Sequence, residues 1–590
     1  MLKTVCLLFL CLGLNSSFLS AQVFEQEIQL ITTHELKEFE KIFEELYKEL
    51  TLEEENLSLT SAWAPIQRVL VKGVKLQDLA LNVTYFHPNA IMKATALEKY
   101  SSMQTWVNVF KTKYLYGEKK EQSLSSAEVM EMEKELNTKI EKYQKNITEK
   151  KAPFVFSGEN LDERAQEALK DFKNKNDTTY AINMANFFHR HATFSFCNDR
   201  EVRKKLYQTY SIRGLYPENK DLLKEILILR SRIARKYGFK TWAHYKFSGD
   251  ATLGDPKKVA VFLNNRLKEL SPFFLQELAE IQRETPFKVR AWDYDFLKKQ
   301  KEKVEYIGTA FEVLTFAFDY LEQKKIIKVK KVEGKIGWHP NVSFYEIYNI
   351  TGDILLGYFF LDLSSPEFKF KNPCVNCIMP THWDAEENKI IPAFLTLSLP
   401  YDLNQNLNRF ERTTVWHELG HVLEHSLGSQ LPYNQTTSYA GATLLVEAVS
   451  TLFERLAQHD LPIEERELSN FKNKVSTIAN YLVSLKIALW DEETLTDPHF
   501  DLVRELNQIS FKKPFDKKEE LAHFFFGMSA FVRDGYGPKY FTYDLGSLFA
   551  DMYLPQLEEK GYHPEAFQSI LEIIKGGAPH FNKCLEEMFK

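Results

Sequence analysis

The chain has 590 residues, too many for one ordinary domain and enough for roughly four domain-sized units or fewer large helical lobes. Hydrophobic residues make up 44% and charged residues 26%, globular values that exclude wholesale disorder, and 23 Gly with 21 Pro exclude collagen-like or Pro-rich architectures. A formal charge of −6 argues against a nucleic-acid binder that works through bulk positive charge, and six cysteines are too few for a disulfide framework.

The first segment reads as an address. Lys3 gives a positive start, Val5 to Leu14 is an apolar run, and Ser20-Ala21 supplies small residues before Gln22. Residues 1–21 are therefore expected to be a secretory signal peptide, too short in its apolar part to span a bilayer. No later segment has the length and apolarity of a transmembrane helix, so an exported protein without a membrane span is expected.

Residues 30–150 read as helical, with a charge-rich stretch from Ser126 to Lys151 broken at Ala152-Pro153. From Glu201 to Tyr245 apolar residues recur at helical spacing: Val202, Leu206 and Tyr210, then Leu222, Ile226, Leu229 and Ile233. Another helix is expected to start at Asp255-Pro256, an N-cap followed by a first-turn proline. At Ile326 the texture changes. Ile326–Lys331, Val342–Tyr348, Gly357–Leu363 and Ala393–Leu399 are β-branched and aromatic runs between turn residues, read as a small sheet. The Ala393–Leu399 run is expected to offer a sheet edge to an extended peptide. Helical patterns resume near Arg409 and continue to Lys590. The expected class is mainly α with a small β-sheet.

His417-Glu418-Leu419-Gly420-His421 is an H-E-x-x-H sequence within a stretch, Arg412 to Leu427, that contains no proline. On a helix, His417 and His421 fall one turn apart on one face, where two imidazoles can reach one Zn²⁺. Glu418 is placed to touch a water at that metal rather than the metal, and to take its proton as general base. A third protein ligand is needed, with the fourth position left to water. No histidine follows within Ser426 to Ser429, so the next helical stretch, Thr443 to His459, is the place to look. Its apolar core makes an unpaired carboxylate costly. Glu447, near the start of that helix, is the candidate third ligand, and Glu454 a candidate partner for a ligand imidazole or a surface ion pair.

Glu447 lies 30 residues after His417, within Val446-Glu447-Ala448. That spacing resembles the thimet oligopeptidase / neurolysin / oligopeptidase A family of zinc metallopeptidases. Arg203 to Leu206-Tyr207 through Arg213-Gly214, Leu229-Arg230 through Tyr237-Gly238-Phe239, and Trp338 to Val342 with Leu356 to Leu363 resemble further family segments, so the likeness runs from about Phe196 to the C-terminus. Gly535-Tyr536-Gly537-Pro538-Lys539-Tyr540-Phe541-Thr542-Tyr543 resembles the family's tyrosine loop. The resemblance implies that Tyr543 donates a hydrogen bond to the developing oxyanion and that Tyr536 orients substrate. It implies two helical lobes flanking a deep active-site channel, one Zn²⁺, and short peptides as substrates. Three positions depart from the family pattern. Phe531 replaces a histidine before the tyrosines, Leu444 replaces an aspartate before the third ligand, and Glu424 replaces a histidine on the metal helix.

Cys374-Val375-Asn376-Cys377 leaves a local disulfide and free thiols both open. Sequons at Asn56, Asn82, Asn146, Asn176, Asn341, Asn349 and Asn434 have meaning only in a host that glycosylates exported proteins.

The expected organisation is a signal peptide at 1–21, an N-terminal helical region at 22–195 and a metallopeptidase region at 196–590. The expected function is an exported zinc metallo-oligopeptidase, monomeric, cleaving internal bonds of short unstructured peptides. The alternatives are a peptidyl-dipeptidase or carboxypeptidase on the same scaffold, with Arg533 and Lys539 as candidate grips for a terminal carboxylate, and a non-catalytic peptide-binding protein.

Overall fold

A computed structural model describes residues 25–588 apart from 58–62, 116–125, 149–152, 176, 185–186, 216, 249–254, 300–305, 335–336, 365–371, 385–387, 402, 429–442, 459–470, 511–524, 528–531, 533–536 and 540. The expected signal peptide, Tyr536, Tyr540, Phe531 and Arg533 therefore lie outside the described residues, as do the sequons at Asn176 and Asn434. Mainly helical structure with a small sheet is what the sequence pattern predicts and what is found. Among the described residues no helix is long and apolar enough to cross a membrane.

The chain forms two compact units that are not linear segments. One comprises the described residues up to Tyr114 together with Leu314–Gln405 and His425–Tyr433; the other comprises Leu115–Val313, Asn406–Glu424 and the rest of the chain from Asn434.

The first unit contains helices α1 (Glu25–Thr32), α2 (Leu36–Glu55), α3 (Trp63–Phe86) and α4 (Ala90–Leu115) and a sheet of β1 (Lys328–Lys331), β2 (Val342–Tyr348), β3 (Leu355–Asp362), β4 (Cys374–Met379) and β5 (Ala393–Ser398). The strand order is β1-β2-β3-β5-β4, with β3 and β5 parallel and the other pairs antiparallel. Phe344, Tyr358, Phe360 and Phe394 pack ring against ring across its interior, and α3 covers it through Phe86, whose ring lies 6.2 Å from that of Trp338. Asn82 on α3 donates to Thr396 Oγ1 on β5 at 2.5 Å.

One expectation about this sheet is corrected. The run beginning at Ala393 is not an edge: β5 lies between β3 and β4 and every one of its residues is buried. An unbroken apolar run is the mark of a strand covered on both faces, which suits the interior of a sheet. The edge on that side is β4, which contains Cys374 and Cys377. Residues three apart on a strand point to opposite faces, so strand geometry itself keeps these two sulfurs apart.

The second unit is mainly helical, with two small two-stranded pairings, Phe154–Ser157 with Thr179–Ile182 and Tyr306–Thr309 with Asn406–Asn408. Its helices include α5 (Ser126–Thr148), α6 (Pro217–Lys236), α7 (Pro256–Glu284), α8 (Arg409–Leu427, of which residues to Glu424 belong to this unit), α9 (Thr443–Leu456), α10 (Phe471–Ala488), α11 (Thr542–Glu559) and α12 (Gln568–Met588). The start of α7 is as the sequence predicts: Asp255 accepts from Lys257 N at 2.9 Å and Pro256 opens the first turn. The long pattern Glu201–Tyr245 is not one helix. It is broken after Ser211 and again at Gly238, whose φ of +77° only glycine adopts freely.

Candidate metal centre

The helix α8 begins with a reciprocal cap. Asn408 Oδ1 accepts from Glu411 N at 3.0 Å, and Glu411 Oε2 accepts from Asn408 N at 2.9 Å, which satisfies two donors of the first turn. From there Val415, Trp416, Leu419, Val422 and Leu423 are buried on successive turns. The helix is covered almost all round, so its polar residues are held inside the protein rather than in water. His417 and His421 sit one turn apart, their rings 4.8 Å apart and nearly perpendicular at 88°. Glu418 is buried beside them.

The helix α9 lies against α8 at backbone distance. A Cβ on Gly420 would sit 2.6 Å from Ser450 Cα, so only glycine allows this approach. That contact brings Glu447 to the two histidines. Its Oε2 is 3.6 Å from His417 Nε2 and 3.8 Å from His421 Nε2, and one ligand atom from each of the three residues lies within 4.8 Å of the others. Three ligands of a tetrahedral Zn²⁺ at about 2.0–2.1 Å stand roughly 3.3 Å apart. The two imidazole nitrogens and one carboxylate oxygen thus match the donor types of such an ion and need only contract slightly to hold it.

Neighbouring groups fix each donor. His417 Nδ1 lies 3.2 Å from Glu454 Oε2, so Nδ1–H donates to that carboxylate and Nε2 is directed at the centre. Burial opposes charge on His417, but the hydrogen bond to Glu454 and the charges of Glu418, Glu447 and Glu454 outweigh it and raise its pKa to about 9. The same carboxylates would stabilise any cation placed there. Glu447 is raised by burial, against the pull of His417 and hydrogen bonds from Tyr543 and Ser450. Ser450 Oγ is 3.2 Å from Glu447 Oε2 and 3.1 Å from Glu447 O.

A third helix completes the centre. A Cβ on Gly546 would meet Glu447 O at 2.4 Å, so α11 also runs at backbone contact with α9. Tyr543, one turn before Gly546, consequently lies beside the ligands. Its ring centroid is 6.4 Å from that of His417, nearly parallel at 13°, and its phenol is hydrogen-bonded to Glu447. The structure therefore brings together His417, Glu418, His421, Glu447, Glu454 and Tyr543. Glu424, which stands where the resembling family has a histidine, is buried in α8. Lys539, a candidate grip for a terminal carboxylate, ends a short 3₁₀ turn, Gly537–Lys539. Sequence reasoning missed Ser450, although a serine three residues after a candidate ligand is within reach of it on a helix. It also missed Gly420 and Gly546 as contact points; the available signal was a glycine inside an apolar helical pattern.

The profile of Peptidase family M3 matches residues 193–588. Oligopeptidase A from Escherichia coli (strain K12) is 27% identical over 40% of this chain and 38% of its own length. Saccharolysin from Saccharomyces cerevisiae is 21% identical, covering 87% of this chain and 81% of its own. Thimet-like oligopeptidase from Dictyostelium discoideum is 24% identical over 60% of this chain and 57% of its own. The chain thus spans about two fifths of the oligopeptidase A relatives it matches. The fold is similar to that of PZ peptidase A solved with an inhibitor, at a TM-score of 0.55 and 12% identity over 96% of this chain and 91% of that one. The family resemblance read from the motifs agrees with these matches.

Proposed function

We propose that this chain, which belongs to peptidase family M3, is a zinc metallo-oligopeptidase that hydrolyses internal bonds of short unstructured peptides. One observation carries the reading: donor atoms of His417, His421 and Glu447 converge within 4.8 Å, with the Glu418 carboxylate one residue along the same buried helix. Relatives named oligopeptidase A, thimet-like oligopeptidase and saccharolysin support peptides as substrates.

Zinc at this centre would supply a Lewis acid for the scissile carbonyl and lower the pKa of water. Glu418 takes the proton of the attacking water and passes it to the leaving amine. Glu454 holds His417 in the tautomer that presents Nε2, and Ser450 orients Glu447. Tyr543 turns its phenol from Glu447 to the oxyanion, where a hydrogen bond strengthens as charge develops. Tyr536 orients the substrate.

Residues 1–21 serve as a signal peptide and the mature protein acts as an exported monomer. Burial limits which sequons an exporting host can modify. Asn82 and Asn146 are buried with their amides donating to Thr396 and Asn219, whereas Asn56 is exposed at the end of α2.

Paired peptides test the mode of cleavage. An internally cleavable peptide blocked at both ends should be cut at the same bond and at a similar rate as its free-ended twin. Cleavage that requires a free C-terminal carboxylate would replace this reading with peptidyl-dipeptidase or carboxypeptidase action.

A further inference from the structure

Phe526, Val532 and Gly537, which precede Tyr543 in the chain, are each held at the main-chain carbonyl by a side chain from a different helix. Tyr143 on α5, fully buried, donates from its hydroxyl to Phe526 O at 2.8 Å. Burial raises the Tyr143 pKa, so the phenol remains a donor across the working range of pH. Arg230 on α6, also buried, donates through Nη2 to Val532 O, and its guanidinium lies over Trp242 at 5.2 Å. Ser484 on α10 donates from Oγ to Gly537 O at 2.7 Å.

Phe526 is helical and Gly537 opens the 3₁₀ turn Gly537–Lys539, so at these places a side-chain donor is added to the main-chain bonding. Packing tightens the same seat. A Cβ on Gly214 would sit 1.9 Å from Phe526 O, and a cavity of about 10 Å³, hardly room for one water, lies beneath Gly537 and Pro538. Gly537 has φ +25°, and its carbonyl is the last anchored one, six residues before Tyr543. Phe541 then packs against Phe247 at 6.0 Å and α11 begins at Thr542.

We propose that Ser484, together with Arg230 and Tyr143, is a positioning residue that sets where the Tyr543 phenol points. This rests on the catalytic role of Tyr543 given above. Ser484 is the cleanest probe, because its hydroxyl makes one contact with the segment and its removal costs little volume. A misplacement approaching 1 Å in a catalytic group can cost on the order of 10²-fold in rate.

The test is a double-mutant cycle on the zinc-loaded full chain. Ser484→Ala should lower kcat on a short peptide by about 10-fold or more, leave KM within about twofold, and keep one zinc per chain. Ser484→Thr, which retains the hydroxyl, should restore most of the rate. In a Tyr543→Phe background, Ser484→Ala should cause no further loss, because the group it positions is already gone. Loss that multiplies in that background would overturn the proposal. Hydrogen exchange gives an arm that does not depend on catalysis. Amides of Gly537, Lys539 and Phe541 should exchange faster in Ser484→Ala while those of α8 do not, and unchanged exchange at these three would also overturn it. Failure of the underlying reading shows separately, as a Tyr543→Phe single variant with unchanged kcat.

Discussion

Replacing Gly420 by alanine adds one methyl group where α8 touches α9. The new Cβ would lie 2.6 Å from Ser450 Cα and 3.2 Å from Ser450 N and Val449 O, all main-chain atoms of the facing helix. Carbon atoms in contact prefer about 3.5–4.0 Å, so the helices must part by roughly 1 Å. Glu447 lies one turn before Ser450 and moves with it. Its Oε2 now stands 3.6 and 3.8 Å from the two imidazole nitrogens. A parting of about 1 Å would take those separations well beyond the roughly 3.3 Å that three ligands around one zinc require. Gly420→Ala should therefore weaken zinc binding on the order of 100-fold or more, and overpacking should cost about 1–3 kcal/mol of stability. Zinc affinity is read by competition with a chromophoric chelator, and stability by denaturant unfolding monitored by circular dichroism. A Gly420→Ala protein that holds zinc as tightly as the parent would refute the claim that the glycine contact assembles the centre.

Glu418→Gln should keep fold and zinc but lose nearly all turnover, since an amide cannot take the proton of water; near-normal activity with full zinc would assign the base elsewhere. Tyr543→Phe should lower kcat by about 10²–10³-fold with a much smaller change in KM, and Tyr536→Phe should show a milder loss spread over both constants. Asp544, in the first turn of α11, has its pKa pushed up to about 6 by burial and by Asp551, against the opposing pull of Arg266 and Lys474. Because the folded-state pKa is raised, its favourable contribution is complete below pH 4 and is lost as pH rises through 6. Asp544→Asn should accordingly be neutral near pH 4 and stabilise by up to about 3 kcal/mol at pH 8, checked by unfolding at both pH values. Equal effects at the two pH values would show that the aspartate is not held in its neutral form.

The residues of the centre were legible because each obeys a local rule. His417 and His421 are one helical turn apart, Glu418 follows the first ligand, and Glu447 is a carboxylate in an otherwise apolar helix. Asp255-Pro256 and the strands at Val342 and Ala393 were legible in the same way, from capping and from apolar runs. What escaped depends on partners distant in sequence. Gly420 and Gly546 look like weak points in helices until α8 and α11 are seen pressed against α9. The strand Cys374–Met379 was obscured because its two cysteines suggested thiol chemistry, and it forms a strand by pairing with Ala393–Ser398 across a bulge. The place of Ala393–Ser398 within the sheet was misjudged because an apolar run tells of cover on two faces but not of which neighbours supply it. Likewise the sequons at Asn82 and Asn146 satisfy a three-residue pattern that carries no information about burial.

Peptide hydrolysis is proposed to depend on one zinc held by His417, His421 and Glu447. The most direct test measures zinc content and cleavage of a mixed peptide library together, on the full chain as purified, after chelation, and after stepwise return of zinc. Internal cleavage should disappear with the metal and return in proportion to zinc, reaching its full rate at one zinc per chain. Cleavage that persists in protein stripped of zinc would contradict this dependence.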